Sequence, residues 1–152
     1  MPTIDAFDLK ILTQLQANGR LSNQDLSDLV GLSASQCSRR RIALEQGGLI
    51  LGYHARLAPQ AMNTEMVAMI EVSLVNHEPA RSAAFEALVL GEGAIIDAYK
   101  TTGDADYTLK VAVAGLDELN GLMGRLASSG AIGHLKTAVV LQRVKEAGLG
   151  AR

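Results

Sequence analysis

One cysteine in 152 residues, no cysteine cluster and no apolar run as long as a membrane span are the first things this chain shows by their absence. The lone Cys37 excludes an intramolecular disulfide and gives no sign of secretion. The opening MPTIDAFDLK has neither the basic region nor the apolar core of a signal peptide, so a cytoplasmic protein with no membrane partner is expected. His54, His77 and His134 are scattered without an HxxxH spacing, and there is no glycine-rich phosphate loop. Catalytic residues, metal and cofactor are therefore not expected, and Cys37 reads as a small core residue rather than a nucleophile.

Positive charge is scarce too, and the net charge of −2 looks wrong for a nucleic-acid binder until it is divided. Residues 1–58 hold Lys10, Arg20, Arg39, Arg40, Arg41 and Arg56 against Asp5, Asp8, Asp25, Asp28 and Glu45, which leaves +1 there and −3 in the remainder. Half of those cations sit in one run. For phosphate binding the local field matters more than the total.

Three helix starts in succession share one grammar. Asp5 with Asp8, Ser22 with Asp25 and Ser33 with Gln36 each place a capping side chain three residues before an acidic or amide partner. Apolar pairs flank each cap: Ile4 with Leu9, Leu21 with Leu26, Leu32 with Cys37. These are the positions of a hydrophobic staple, which sets the angle of chain entry. The pattern predicts a first helix over 6–18 with Ile11, Leu12 and Leu15 inward, a second over 23–30 burying Leu26, Leu29 and Val30, and a third over 34–46 using Cys37, Ile42 and Leu44. Gly31 takes the turn between the last two, where a positive φ suits glycine. That is the outline of a helix-turn-helix, with Ser35, Gln36 and Ser38 beside Arg39 suited to base edges, and Arg40 and Arg41 to phosphates. Capped helices joined at a glycine also describe small bundles that touch no DNA; the arginine run tips the reading toward DNA.

Beyond Pro59 the period changes. Met66, Ala68, Ile70, Val72 and Leu74 alternate with Val67, Met69, Glu71 and Ser73, so a strand over 65–75 is apolar on both faces and wants cover on both. A helix from Pro79 to about Leu90, strands at 94–102 and 107–113 joined by a turn at Gly103-Asp104, a helix carrying Leu116, Leu119, Leu122, Met123 and Leu126, and a last strand at about 131–144 follow. The order βαββαβ is a ferredoxin-like unit, an architecture that hosts many functions.

At this point the residues resemble a known family. Asp5-x-x-Asp8 followed by Ile11-Leu12, then Gly19-Arg20, Gly31-Leu32-Ser33, Cys37, Arg39-Arg40, Leu44-Glu45, Ile50 and Gly52-Tyr53 are similar to the amino-terminal half of the Lrp/AsnC (feast/famine) transcription regulators. TTGDADYTLKVAV and TAVVLQRVK are similar to its carboxyl-terminal half. The chain departs at Ala34, where a proline is frequent, at Arg41, where an apolar residue is usual, and at Ser129-Gly130-Ala131-Ile132. Ala105 and Leu135 also differ from the family pattern.

The resemblance implies an α+β protein. A winged-type helix-turn-helix DNA-binding domain over 1–48 would be followed by a connecting strand or linker over 49–62, then a ferredoxin-like effector-binding and dimerisation domain over 63–152. It implies double-stranded DNA and a small effector, an amino acid, as partners, with homodimers assembling further, an octamer among the allowed forms. Carried onto this sequence, the DNA contacts are Ser33, Ser35, Gln36, Ser38, Arg39, Arg40 and Arg41. The effector contacts are Thr102, Gly103, Asp104, Ala105, Asp106, Tyr107 and Thr137. An architectural DNA-binding protein that senses no ligand is the alternative.

Overall fold

Every helix start in the amino-terminal region is closed by its own side chains, as a computed structural model describing residues 4–145 shows. Helix α1 (Ala6–Ala17), α2 (Asn23–Val30) and α3 (Ala34–Gln46) each carry a complete capping box, from Asp5 and Asp8, Ser22 and Asp25, Ser33 and Gln36. Such reciprocal bonds satisfy amide groups that a helix end otherwise leaves without partners. Gly31 joins α2 to α3 at φ 77°, a left-handed conformation in which a side chain would be strained.

Of the described residues, those up to Arg56 and from Val144 belong to one compact unit, and Leu57–Arg143 form the other. The helical unit closes over a small core of Ile11, Leu15, Leu26, Val30, Cys37 and Leu44, with Leu12, Leu21, Leu32 and Ile50 packed around it. Two expected core residues lie outside it: Leu29 is 53% exposed and Ile42 is 48% exposed. Three short helices have too little facing surface to cover the whole apolar side of each. Segment 49–62, expected as a connecting strand or linker, holds no strand; its only regular piece is a 3-10 turn at Pro59–Met62. No wing strand is present in the helical unit among the described residues.

The second unit is a four-stranded antiparallel sheet in the order β2-β3-β1-β4, built from β1 (Met66–Leu74), β2 (Ile95–Lys100), β3 (Tyr107–Val113) and β4 (Ile132–Val139). Helix α4 (Pro79–Gly91) follows β1, and α5 (Leu116–Ser128) follows β3. Both helices bury apolar residues against one face of the sheet: Phe85 from α4, and Leu119, Leu122 and Leu126 from α5, meet Ala68, Ile70, Val72 and Leu74 of β1. Leu116, expected in that stripe, is 60% exposed at the start of α5. The opposite face carries Val67, Met69, Glu71 and Ser73 and has no cover within the unit. Strand β4 ends at Val139, five residues short of its expected end, and residues 146–152 of the expected second domain lie outside the described residues. No helix among the described residues is long and apolar enough to cross a membrane, and no group of three or more His, Cys, Asp or Glu there is placed to hold a metal.

Candidate nucleic-acid interface and ligand groove

Helix α3 shows one exposed stripe. Ser35, Gln36, Arg39, Ile42 and Ala43 are all exposed, spaced three or four apart around one side. Gln36, Arg39 and Ala43 line a shallow concavity along it, with Arg40 at its margin. Three of the expected DNA contacts are already engaged at the helix start. The Ser33 hydroxyl accepts from the Gln36 amide at 3.2 Å, and the Gln36 carbonyl oxygen accepts from the Ser33 amide at 2.9 Å. Ser35 and Ser33 share a hydroxyl contact at 3.1 Å. Ser38 is half-buried.

The three arginines have different surroundings. Arg39 is exposed along the stripe. Arg40 instead donates from Nη1 to Asp5 Oδ2 at 2.7 Å and to Asp8 Oδ1 at 2.8 Å, and its guanidinium lies 5.6 Å from the centre of the Phe7 ring. The two carboxylates that cap α1 therefore also tie that helix to α3. The bond from the Asp8 amide, with that from Arg40, holds the Asp5 carboxyl below its ordinary range, while Asp8 and Asp5 push Arg40 up. Arg41 donates from Nη1 to the Leu21 carbonyl at 3.0 Å, and from Nε to the Tyr53 hydroxyl at 2.8 Å and to Glu45 at 3.3 Å. Its guanidinium stacks 4.6 Å from the Tyr53 ring, and Tyr53 donates to Glu45 at 2.8 Å. Burial, then the Glu45 carboxylate, raises the Tyr53 phenol. Arg40 and Arg41, expected at phosphate, stand here in intrachain bonds that brace the helix. The departure at Arg41 has its reason here, in a guanidinium filling an apolar residue's place and bonding three groups around it.

The hairpin between β2 and β3 carries the expected effector residues, and the structure separates them. Gly103 sits at the tip with φ 115°. Asp106 is tied to β1: its amide donates to the Val72 carbonyl at 2.9 Å, and Oδ2 accepts from the Leu74 amide at 2.8 Å. Oδ1 lies 3.4 Å from Nδ1 of the exposed His77. Tyr107 is buried on the helix-covered face and donates to Glu86 at 2.7 Å. Thr137 faces the same side, its hydroxyl donating to the Met123 sulfur at 3.1 Å. Thr102, Asp104 and Ala105 lie instead on a groove of about 330 Å³ that opens on the uncovered face, with Glu71, Thr108 and Lys136. Because side chains alternate along a strand, Thr108 and Lys136 point away from Tyr107 and Thr137. Glu71 and Lys136, 3.2 Å apart, were missed in the sequence; their register pairing across β1 and β4 was the signal that would have joined them.

Comparison with known proteins reaches nearly the whole chain. Residues 4–45 match the AsnC-type helix-turn-helix domain, and residues 67–149 match the Lrp/AsnC ligand binding domain. A leucine-responsive regulatory protein of Haemophilus influenzae is 38% identical, over 94% of this chain and 87% of its own length. A proline dehydrogenase transcriptional activator of Rhizobium radiobacter is 34% identical over 96% and 94%. Among solved structures, a Neisseria meningitidis transcriptional regulator in complex with L-Met superposes with a TM-score of 0.90 at 32% identity, covering 95% of this chain and 94% of the other. An AsnC family transcriptional regulator from Agrobacterium tumefaciens gives 0.89 at 27%, covering 97% and 96%.

Proposed function

The chain belongs to the Lrp/AsnC family of helix-turn-helix transcription regulators, and from that premise we propose how its own residues read DNA and sense a ligand. The exposed stripe of α3 carries the reading: Arg39 reaches base edges or phosphate in the major groove, flanked by Ser35 and Gln36, with Ile42 as an apolar contact beside them. Ser33 and Ser38 act from the edge of that stripe. Arg40 and Arg41 hold the angle of α3 against α1 and against the segment after it.

An amino-acid effector occupies the groove at the hairpin. Asp104 and Glu71 suit its ammonium, Lys136 its carboxylate, and Gly103 lets the backbone come close. The Neisseria relative's L-Met complex supports an amino acid as the chemical class. Asp106 and Tyr107 shape the hairpin from within, and Thr137 supports it from the helix side. A second copy pairs through the uncovered sheet face of Val67 and Met69, placing two recognition helices on half-sites about one DNA turn, ~34 Å, apart. Effector binding then couples to DNA through assembly.

The decisive experiment compares affinity for the chain's own upstream DNA with that for a scrambled duplex, at fixed salt, with and without amino acids. Preferential binding that shifts with an amino acid is the expected result. Preferential binding that no amino acid changes removes the effector assignment. Equal binding to both duplexes favours the architectural reading, which the intrachain bonds of Asp106 and Thr137 keep in view.

A further inference from the structure

Gln36 stands on the exposed stripe of α3 and lines its concavity with Arg39 and Ala43, yet half of its side-chain amide is engaged within the chain. Oε1 accepts from the Ser33 amide at 2.9 Å and from the Ser33 hydroxyl at 3.0 Å, while the Gln36 backbone amide donates back to Ser33 Oγ at 3.2 Å. A carbonyl oxygen has two lone pairs, and both are taken. The Ser33 N–H can only donate, so the amide oxygen must face the cap and the amide nitrogen must face away from it. Nε2 donates to no group among the described residues.

This arrangement denies Gln36 the pairing that glutamine usually makes in the major groove. That pairing is bidentate to adenine, with Oε1 accepting from N6 and Nε2 donating to N7. With Oε1 held by Ser33, the outward amino group offers hydrogens and nothing else. Against adenine it would set donor against donor at N6 and leave one of them unpaired. Guanine presents acceptors at both N7 and O6, and a group that only donates fits both. Thymine presents a single acceptor, O4, beside its methyl group.

We propose that Gln36 selects guanine in each half-site, its base choice set by the capping box and not by the side chain alone. This rests on α3 being the recognition helix and names the base that one of its residues selects. Ser33 is the positioning residue, holding the Gln36 amide one way round. To read adenine, Gln36 would have to release both Ser33 donors, which reopens the start of the helix. Base choice and the closing of α3 therefore depend on the same two bonds.

Fluorescence anisotropy of the full chain at fixed salt tests it, on the footprinted half-site of its upstream DNA with each base pair replaced in turn. In the wild type one position should prefer guanine over adenine roughly tenfold. Hypoxanthine, which keeps N7 and O6, should bind there as guanine does, and 7-deazaguanine, which lacks N7, more weakly. Gln36→Glu keeps an oxygen for the cap and loses the donors, whereas Gln36→Ala loses both; each should flatten that position and leave the preferences due to Arg39 in place. Ratios are compared within each variant, so a uniform effect of the added charge cancels. Ser33→Ala, which loosens the hold on Oε1, should narrow the guanine preference by admitting adenine, and Ser33→Thr should retain it. Adenine or thymine preferred at the position that Gln36→Ala flattens overturns the proposal, as does a base profile that Gln36→Ala leaves unchanged. Arg39→Ala separates the two failures: if it flattens other positions, α3 still reads DNA and only the role of Gln36 is lost, whereas a wild type with no preference anywhere removes both.

Discussion

Arg39 and Arg40 are neighbours with opposite fates, one exposed on the recognition stripe and the other bonded to two carboxylates of α1. Arg39→Ala should therefore cut DNA affinity roughly tenfold and lower the salt slope by about one, with thermal unfolding unchanged. Arg40→Ala should do the reverse, lowering the unfolding midpoint while the salt slope stays as in the wild type; fluorescence anisotropy across a salt series, beside thermal melts, distinguishes them. Acid acts on the same residues. Asp5 is held below the usual aspartate range by the Asp8 amide and by Arg40, and Asp25 by the Ser22 hydroxyl and amide. A carboxyl depressed in the folded state contributes stability above its unfolded value, about 3.9, and loses it as pH falls through the lower folded value. The unfolding midpoint of the helical unit should stay level from neutral pH to about 5 and fall below about 4, with Asp25→Asn removing part of that fall. A midpoint unchanged at acid pH would show that these pairs contribute nothing.

Each of the three amino-terminal helices rests on short-range signals, and these were legible because the capping partners stand three residues apart in the sequence. Ser33→Ala removes one such partner and should cost about 1 kcal/mol of stability, read by denaturant unfolding, with looser DNA binding from a frayed start to α3. The alternation of 66–74 and of 107–113 marked β1 and β3 equally well, since a period of two has no helical reading. Other features needed neighbours that lie far along the chain. Arg40 meets Asp5 across 35 residues, and a cap already explained both aspartates without it. Ile42 and Leu29 follow the apolar stripe, but periodicity names a side of a helix and not how much of it three short helices can cover. Segment 51–58 has strand-like composition but pairs with no strand among the described residues, and it stays irregular. At the hairpin, GDADY stood out as one motif; alternation sends Tyr107 and Thr108 to opposite faces, and only the register puts Thr108 beside Glu71.

At the scale of the whole molecule, the uncovered sheet face is the surface through which we propose that a second copy pairs. Val67 and Met69 stand there half-buried beside the exposed ion pair of Glu71 and Lys136. If a second copy covers this face, Met69→Lys should convert the wild-type oligomer to monomer in light scattering and make the unfolding midpoint independent of concentration. A variant that keeps the wild-type mass would place the interface elsewhere. The arginine run has a consequence at this scale as well. Two of its three guanidiniums are neutralised within the chain, so each recognition helix releases few counterions when it meets a duplex of arbitrary sequence. A regulator built this way should hold random DNA lightly and leave it quickly, which keeps its copies available to search for the few sites that matter.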